Sequence, residues 1–345
     1  MMKNQSNALV SVIITTFHNE IYLPRAIESI QNQSYPNIEL IVVDDNPPES
    51  DARKKTEAVM ENYPDVIYLR HTENKNGAAA RNTGIRSAKG KYIAFLDNDD
   101  IYFREHIARC VEAAESHPDC KCILCGVVKI QEGICWDIIP AITKDPVKTL
   151  FFQETALGTG SNLFVEANAV REIDGFDERF RRHQDVEFGL RLFSRHPVYG
   201  LDDVQIIKEM AGFSNVPNFE RFLETKQFLW KTFADEISKL TADEQNQYYA
   251  GQYSSLLYTA CKSGKKESID WTIKQLRTYR PLNKKEHLLI LLCRLHLFQM
   301  YESLKRLVKQ KKSPALYRKV TQTLSEYDLG VFQKALSADT KEANR

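Results

Sequence analysis

Apolar and polar residues alternate in blocks along the first 100 residues of the chain. Short apolar runs occupy residues 9–15, 38–43, 66–69 and 91–96, and segments with helical spacing separate them. Runs with little internal alternation are typical of buried parallel strands. The pattern therefore predicts an α/β fold, a doubly wound domain with a mainly parallel sheet.

The character of the chain changes after about residue 215. Residues 212–218 contain glycine and proline and are typical of a linker, and residues 218–336 show almost continuous helical spacing with leucine-rich stripes. We therefore expect two domains, an α/β domain over residues 1–215 and an all-α domain over residues 216–345. A length of 345 residues agrees with two domains.

Charge is distributed unevenly, although the net charge of +1 identifies no partner, and we expect no nucleic-acid partner. Residues 262–319 carry 16 Lys/Arg and 4 Asp/Glu among leucine-rich segments. This pattern is compatible with contact to an anionic membrane surface. A solvated helical bundle, an acidic protein partner and a homo-oligomer stay open as alternatives.

Two further observations concern the compartment. Residues 1–7 lack the apolar core of a signal peptide, and no apolar run reaches the 18 residues of a membrane span. We expect a cytoplasmic protein, peripheral at the inner face of the cell membrane if the basic segment binds lipid. The seven cysteines are then reduced, and Cys120, Cys122, Cys125 and Cys135 fit a buried strand better than a zinc site.

Three carboxylates follow the fourth apolar run. In an extended strand Asp97 and Asp99 point to one face and Asn98 to the other, which suits a divalent cation such as Mn²⁺ or Mg²⁺ with a diphosphate. Asp100 is expected to cap the next helix. Because ligands bind beyond the carboxyl ends of strands in such sheets, Thr15, Asp45 and these carboxylates should share one rim.

Five ordered segments carry a resemblance to a known family. Residues 8–210 resemble the family 2 glycosyltransferases with a GT-A fold, through residues 10–19, 26–35, 39–45, 76–85 and 90–100. The resemblance implies inverting transfer of a sugar from a nucleotide sugar, with Mn²⁺ or Mg²⁺. Residue by residue, it implies that Thr15, Asp45, Arg81 and Asp97 bind the nucleotide sugar, and that Asp99 and Asp97 bind the metal.

The family usually supplies its catalytic base as the Asp of a Glu-Asp pair at a helix start. Here Asp185 occupies that place, Gln184 replaces the usual Glu, and Glu187 is the alternative base. The acceptor-side candidates are Gly160, Ser161, Asp177, His183 and Gln184. A second departure is Asn46-Pro47-Pro48, where the family usually has Gly-Ser-Thr.

The resemblance implies a hexosyl- or N-acetylhexosaminyltransferase. Its donor would be a nucleotide diphosphate sugar, with UDP as the expected nucleotide, and its acceptor a hydroxyl of a glycan or lipid-linked oligosaccharide in surface polysaccharide synthesis. Two alternatives remain. A sugar nucleotidyltransferase usually has a glycine-rich phosphate loop, which residues 15–20 lack. A catalytically inactive scaffold that binds sugar nucleotides is the other.

Overall fold

The computed structural model describes residues 7–18, 20–210 and 218–342, with side chains described up to residue 337. The predicted linker at 212–218 therefore lies almost wholly outside the described residues. Within the described residues the chain forms nine strands: β1 Val10–Thr16, β2 Ile38–Asp44, β3 Ile67–Arg70, β4 Tyr92–Asp97, β5 Asp100–Tyr102, β6 Cys122–Gln131, β7 Ile134–Ile139, β8 Phe164–Glu166 and β9 Val198–Glu209.

Seven helices follow or connect these strands: α1 Leu23–Gln31, α2 Asp51–Met60, α3 Gly77–Ser87, α4 His106–Ser116, α5 Pro146–Phe152, α6 Ala167–Glu172 and α7 Gln184–Phe193. Pro24 lies in the first turn of α1, where its missing N–H costs no hydrogen bond. The Ser50 side chain caps α2, and the Asn76 side chain caps α3.

One sheet contains all nine strands, in the order β3-β2-β1-β4-β8-β6-β9-β5 with β7 paired to β6. Strands β1 to β4 are parallel to their neighbours among themselves, as predicted. Strand β8 runs antiparallel to β4 and β6, and β5 runs antiparallel to β9. The α/β fold class is confirmed, but the sheet is mixed, because short returning strands extend it beyond β4.

The parallel strands β1, β2 and β4 are mostly buried, as their apolar composition predicts, whereas the edge strand β3 is partly exposed. Val10, Val12, Ile13 and Ile14 of β1 are fully buried. The alternation of side chains divides them between the two faces, and Val10, Val12 and Ile14 pack against α1 and α4. The parallel register aligns Thr15 with Asp97, so β1 and β4 end at the same rim.

Helices form the rest of the described chain: α8 Phe219–Thr232, α9 Ala234–Ser238, α10 Ala242–Ser263, α11 Lys266–Tyr279, α12 Lys284–Arg294, α13 Phe298–Thr321 and α14 Glu326–Glu342. The predicted helical C-terminal region is therefore confirmed. No helix among the described residues is both long enough and apolar enough to cross a membrane.

The chain divides into two compact units, Met1–Gly212 with Lys312–Arg345, and Phe213–Lys311. The expected domain boundary at residue 215 falls in the undescribed segment. The expected helical domain extended to residue 345, whereas residues from 312 onward belong to the same unit as the sheet. Residues 312–345 belong to the α/β unit because Val320 and Phe332 pack into an apolar cluster with Ile101, Val128 and Ile207 of the sheet. The second unit has its own core around Leu256, Leu257 and Leu276.

Candidate functional site

The three carboxylates after the fourth apolar run are arranged differently from the prediction. Strand β4 ends at Asp97, and Asn98 and Asp99 form a turn, so Asp97 and Asp99 are not alternate residues of one extended strand. The expectation that Asp100 caps a helix is wrong. Asp100 begins β5 and is fully buried, because the chain turns back into the sheet before α4 begins at His106.

Hydroxyl groups from the segment before β8 surround Asp100. Thr159 and Ser161 each donate a hydrogen bond to Asp100 Oδ2 at 2.6 Å. Ser161 Oγ also accepts from the backbone N–H of Asp97 at 2.9 Å. The predicted acceptor-side residue Ser161 is itself fully buried. It therefore supports the carboxylates, and in this structure it is not exposed to an acceptor.

Arg81 connects the carboxylates to the start of α7. Its guanidinium donates to Asp97 Oδ1 at 2.6 Å and to Gln184 Oε1 at 2.8 Å. Gln184 thus occupies the position of the usual Glu as a neutral acceptor, and Asp97 supplies the negative charge. A Cβ at Gly160 would lie 3.4 Å from Arg81 Nη2 and 3.7 Å from Asp185 Cβ, so the buried Gly160 lies next to both residues.

Lys208 of β9 is the central cation of this site, and sequence reasoning missed it. Its Nζ atom lies 4.0 Å from Asp100 Oδ1. Burial lowers the pKa of Lys208, but Asp100, Asp97, Asp99 and Asp185 outweigh burial and raise it. Four carboxylates from two parts of the chain therefore act on one ammonium group.

The sequence around Lys208 does not indicate a functional residue, since a single lysine near a strand end is common. Register alone reveals its setting. Lys208 pairs with Asp100 across β5 and β9, and with Lys129 across β6 and β9. Lys129 in turn pairs with Asp137 of β7. The four residues Asp100, Lys208, Lys129 and Asp137 therefore form a row across the sheet, with an acidic residue at each end and two lysines in the middle. Burial and the charge of Lys208 lower the pKa of Lys129.

The carboxylates of the site differ in protonation. Burial, followed by the charge of Asp100, raises the pKa of Asp99 to about 7, although Lys208 opposes the shift. Burial also acts to raise the pKa of Asp97, but Arg81 and Lys208 reverse the effect and lower it. Burial raises the pKa of Asp100 as well, so the protein compensates the negative charge of Asp99 and Asp100 less completely than that of Asp97.

The two candidate bases lie in the first turn of α7 in different surroundings. Asp185 is partly exposed and adjoins Gly160. Glu187 is buried, and its carboxylate pairs with Arg191, which donates to Glu187 Oε2 at 2.8 Å and to the carbonyl of Gly175 at 2.8 Å. Glu187 therefore anchors the chain before α7, and Asp185 is the candidate base that faces the site.

Thr15 and Asp45 lie at the same rim but in different environments. Thr15 is partly buried and aligned with Asp97. Asp45 is buried. Its carboxylate contacts two side chains, accepting a hydrogen bond from Asn74 Nδ2 at 2.7 Å and lying 2.7 Å from His71 Nδ1. It also accepts from the backbone N–H groups of Lys75 and Asn76 at 2.9 and 3.0 Å. These contacts occupy the roughly four acceptor positions of a carboxylate. In this structure Asp45 orders the loop before α3, and its contact with a nucleotide stays a prediction.

Two acceptor-side candidates have partners away from Arg81. Asp177 accepts from Arg179 Nη2 at 2.6 Å on the surface of the protein, and this contact lowers the pKa of Asp177. His183 precedes α7 with a backbone φ of 56°, and its Nε2 atom lies 3.8 Å from Glu154 Oε2. The structure therefore brings Arg81, Asp97, Gly160, Gln184 and Asp185 together.

A divalent cation fits the donor set of the site. Among the described residues, no three His, Cys, Asp or Glu side chains form a ready-made metal cluster. However, Mg²⁺ and Mn²⁺ commonly use one or two carboxylates and complete their coordination with phosphate oxygens and water. Asp99 has excess negative charge, and the buried Asp100 Oδ1 has no hydrogen-bond partner. Asp99 and Asp97 are the residues that would hold the ion.

Comparisons with known proteins identify similar sequences and folds. The family model of "Glycosyl transferase family 2" matches residues 11–171. An uncharacterised glycosyltransferase of Methanocaldococcus jannaschii is 30% identical over 231 residues, which cover 65% of this chain and 76% of that protein. The amylovoran biosynthesis glycosyltransferase AmsB of Erwinia amylovora is 30% identical over 219 residues, covering 61% of this chain and 70% of AmsB.

A Rickettsia bellii relative is 29% identical over 259 residues, but the match covers 73% of this chain and only 36% of that longer protein. Two solved structures share the fold. S. aureus TarS 1-349 with UDP-GlcNAc has a TM-score of 0.52 at 16% identity, covering 79% of this chain and 90% of that one. The mannosyltransferase PcManGT from Pyrobaculum calidifontis with GDP-Man and Mn²⁺ has a TM-score of 0.52 at 15% identity, and the match covers 98% of this chain and 88% of that one.

Proposed function

Because this chain belongs to glycosyl transferase family 2, we propose that it is a metal-dependent, inverting glycosyltransferase. It moves a hexosyl or N-acetylhexosaminyl group from a nucleotide diphosphate sugar to a hydroxyl group of an acceptor. The observation that supports this most directly is the Arg81 guanidinium, which joins Asp97 at the end of β4 to Gln184, the residue before Asp185 in α7.

The diphosphate of the donor would lie at the rim beyond β4. Asp99 and Asp97 would hold Mn²⁺ or Mg²⁺, which supplies positive charge to the departing diphosphate. Arg81, which pairs with Asp97 at 2.6 Å, adds a fixed guanidinium beside the same carboxylate. Thr15 is aligned with Asp97 on the neighbouring strand, which supports the proposal that it contacts the nucleotide.

The proton of the acceptor hydroxyl needs a base on the side opposite the leaving group. Asp185 suits this role because it lies in the first turn of α7, is partly exposed and lies next to Arg81 and Gly160. Its neighbour Gly160 is buried, and a Cβ there would already lie within van der Waals contact of Asp185, so the acceptor would approach Asp185 from its partly exposed side. Loss of a general base typically reduces turnover by about 10²–10⁴-fold.

The names of the similar proteins support the choice of substrates. TarS was crystallised with UDP-GlcNAc and PcManGT with GDP-Man and Mn²⁺. AmsB is named for amylovoran biosynthesis. We propose a UDP-sugar as donor, as in the TarS complex, although the PcManGT complex contains a GDP-sugar. As acceptor we propose a glycan or lipid-linked oligosaccharide of a surface polysaccharide. In this proposal the enzyme acts in the cytoplasm.

A panel of nucleotide sugars, with and without Mn²⁺, tests the function. We expect one donor to raise the melting temperature when Mn²⁺ is present and to release nucleoside diphosphate slowly in the absence of acceptor. EDTA and the Asp99→Ala variant should abolish both effects, whereas Asp185→Asn should keep donor binding. Release of pyrophosphate would indicate a nucleotidyltransferase instead, and full activity in EDTA would refute the metal assignment.

A further inference from the structure

The second compact unit has an exposed apolar surface on α12, α13 and the turn between them. Its members are large side chains that are between 42% and 56% exposed, namely Leu288, Leu291, Leu295, Leu297, Met300, Leu304, Leu307 and Val308, and we call this surface the leucine ridge. Across the described residues, twelve large apolar side chains are exposed, and these eight are concentrated in 21 consecutive positions. Such a concentration is typical of an interaction surface.

The exposed leucines of α12 do not belong to the helix face that packs into the core of the second unit. On α12 the inward face is already filled by Leu289, Ile290 and Cys293, which are buried in the core of the second unit. Leu288, Leu291 and Leu295 follow at i, i+3 and i+7, so they form a separate outward stripe. Helix α12 is therefore apolar on two faces, and only one face has a partner within its unit.

The charges next to the leucine ridge are almost all positive. Residues 284–311 contain seven Lys/Arg and two Asp/Glu. Both acidic side chains interact within the second unit: buried Glu286 accepts from Arg280 at 2.7 and 2.8 Å, and Glu302 accepts from the Tyr258 hydroxyl at 2.9 Å. Lys284, Lys285 and Arg306 are exposed. The ridge thus presents leucines and basic groups together.

We propose that the leucine ridge docks onto a membrane surface that contains anionic phospholipid. Basic side chains attract the anionic headgroups, and exposed leucines enter the boundary between headgroups and acyl chains, as in interfacial amphipathic helices. A second copy of this chain is the poorer occupant, because like charges would meet across the shared interface. The inference rests on the proposed function and deepens it by placing the enzyme next to a lipid-linked acceptor.

Flotation of the full chain with lipid vesicles tests the proposal without requiring catalysis. We expect binding to phosphatidylcholine vesicles that contain phosphatidylglycerol, no binding to pure phosphatidylcholine vesicles, and loss of binding at high salt because salt screens the headgroup charge. Since flotation does not depend on the donor site, its failure would leave the proposed transferase activity standing, and loss of transferase activity would leave this proposal standing.

Matched variants assign the binding to the ridge. The ridge variant carries Leu288→Gln, Leu291→Gln and Leu304→Gln, which keep helix propensity at exposed positions of α12 and α13. The charge variant carries Lys284→Gln, Lys285→Gln and Arg306→Gln. The control variant carries Lys262→Gln, Lys266→Gln and Lys274→Gln, which remove the same charge from exposed positions of α10 and α11.

The ridge and charge variants should each lower the floated fraction by about fivefold or more, and the control variant should bind like the wild type. Equal loss in the control would overturn the ridge as the site, as would normal binding by the ridge variant. Absence of binding to anionic vesicles at low salt would overturn the proposal. If light scattering then showed a dimer that the ridge variant dissociates, the surface would join copies of this chain instead.

Discussion

Replacing Asp99 by asparagine should stabilise the metal-free protein while it abolishes sugar transfer. The pKa of Asp99 is raised from 3.8 to about 7 by burial and by the charge of Asp100. The ionised form therefore destabilises the folded state at neutral pH. Asparagine has nearly the same shape and carries no charge, so it removes this cost together with the proposed metal ligand.

The magnitude follows from the shift. One pKa unit corresponds to about 1.4 kcal/mol, so a shift of this size sets a ceiling of about 4 kcal/mol. Because Asp99 is partly exposed, solvent screening reduces the effect, and we expect about 1–2 kcal/mol. For a protein of this size, that change corresponds to a rise in melting temperature of roughly 2–6 °C.

The sign of the pH dependence is defined by the raised pKa. Below pH 3.8 Asp99 is protonated in both folded and unfolded chains, so the substitution should have little effect there. Between pH 3.8 and about 7 the unfolded chain loses its proton first, and the stabilisation by Asp99→Asn should grow. Above about pH 7 the stabilisation should be constant. Differential scanning fluorimetry in EDTA from pH 4 to pH 9 measures this curve.

Asp97→Asn is the matched control, since the same substitution two residues earlier should act in the opposite direction. Arg81 and Lys208 lower the pKa of Asp97 despite its burial, and the amide would leave the Arg81 guanidinium without its anionic partner. We expect a loss of about 2 kcal/mol at pH 8. If Asp99→Asn is destabilising at pH 8 in EDTA, or if both variants shift stability in the same direction, the electrostatic account of this cluster is wrong.

Three further substitutions test other parts of the site. Asp185→Asn should lower turnover by about 10²–10⁴-fold with donor affinity nearly unchanged. Steady-state kinetics measures the turnover and isothermal titration the donor affinity, and normal turnover would show that Asp185 is not the base. Glu187→Gln should lower stability by about 3 kcal/mol in chemical denaturation, because Arg191 loses a buried partner; unchanged stability would contradict this. Lys208→Met should raise the pKa of Asp99 further, so that the pH midpoint for Mn²⁺ binding moves upward; an unmoved midpoint would show that Lys208 does not act on Asp99.

Several features could be predicted from the sequence because they depend on local pattern. Buried parallel strands consist of apolar runs, so the positions of β1, β2 and β4 followed from composition within about one residue. The motif segments indicated the family, and strand ends predicted that Thr15 and the carboxylates share a rim. The helical C-terminal region followed from its spacing in the same way.

Other features depended on contacts between distant residues. No local pattern shows that β8 and β9 complete the sheet, or that residues 312–345 return to pack on it. The strand break after Asp97 also depends on partners, because Asp100 is drawn into the sheet by pairing with Lys208 and by the hydroxyls of Thr159 and Ser161.

The chemistry of the site shows the same division. The sequence by itself determined which side chains were available as metal ligands and bases, since carboxylates at strand ends and helix starts are visible in one dimension. Only the tertiary structure decided their roles: it buried Glu187 against Arg191, surrounded Asp45 with donors, and brought Lys208 to four carboxylates. The physical reason is that burial and charge pairing depend on neighbours in space, and the order of residues along the chain does not reveal which neighbours the fold will provide.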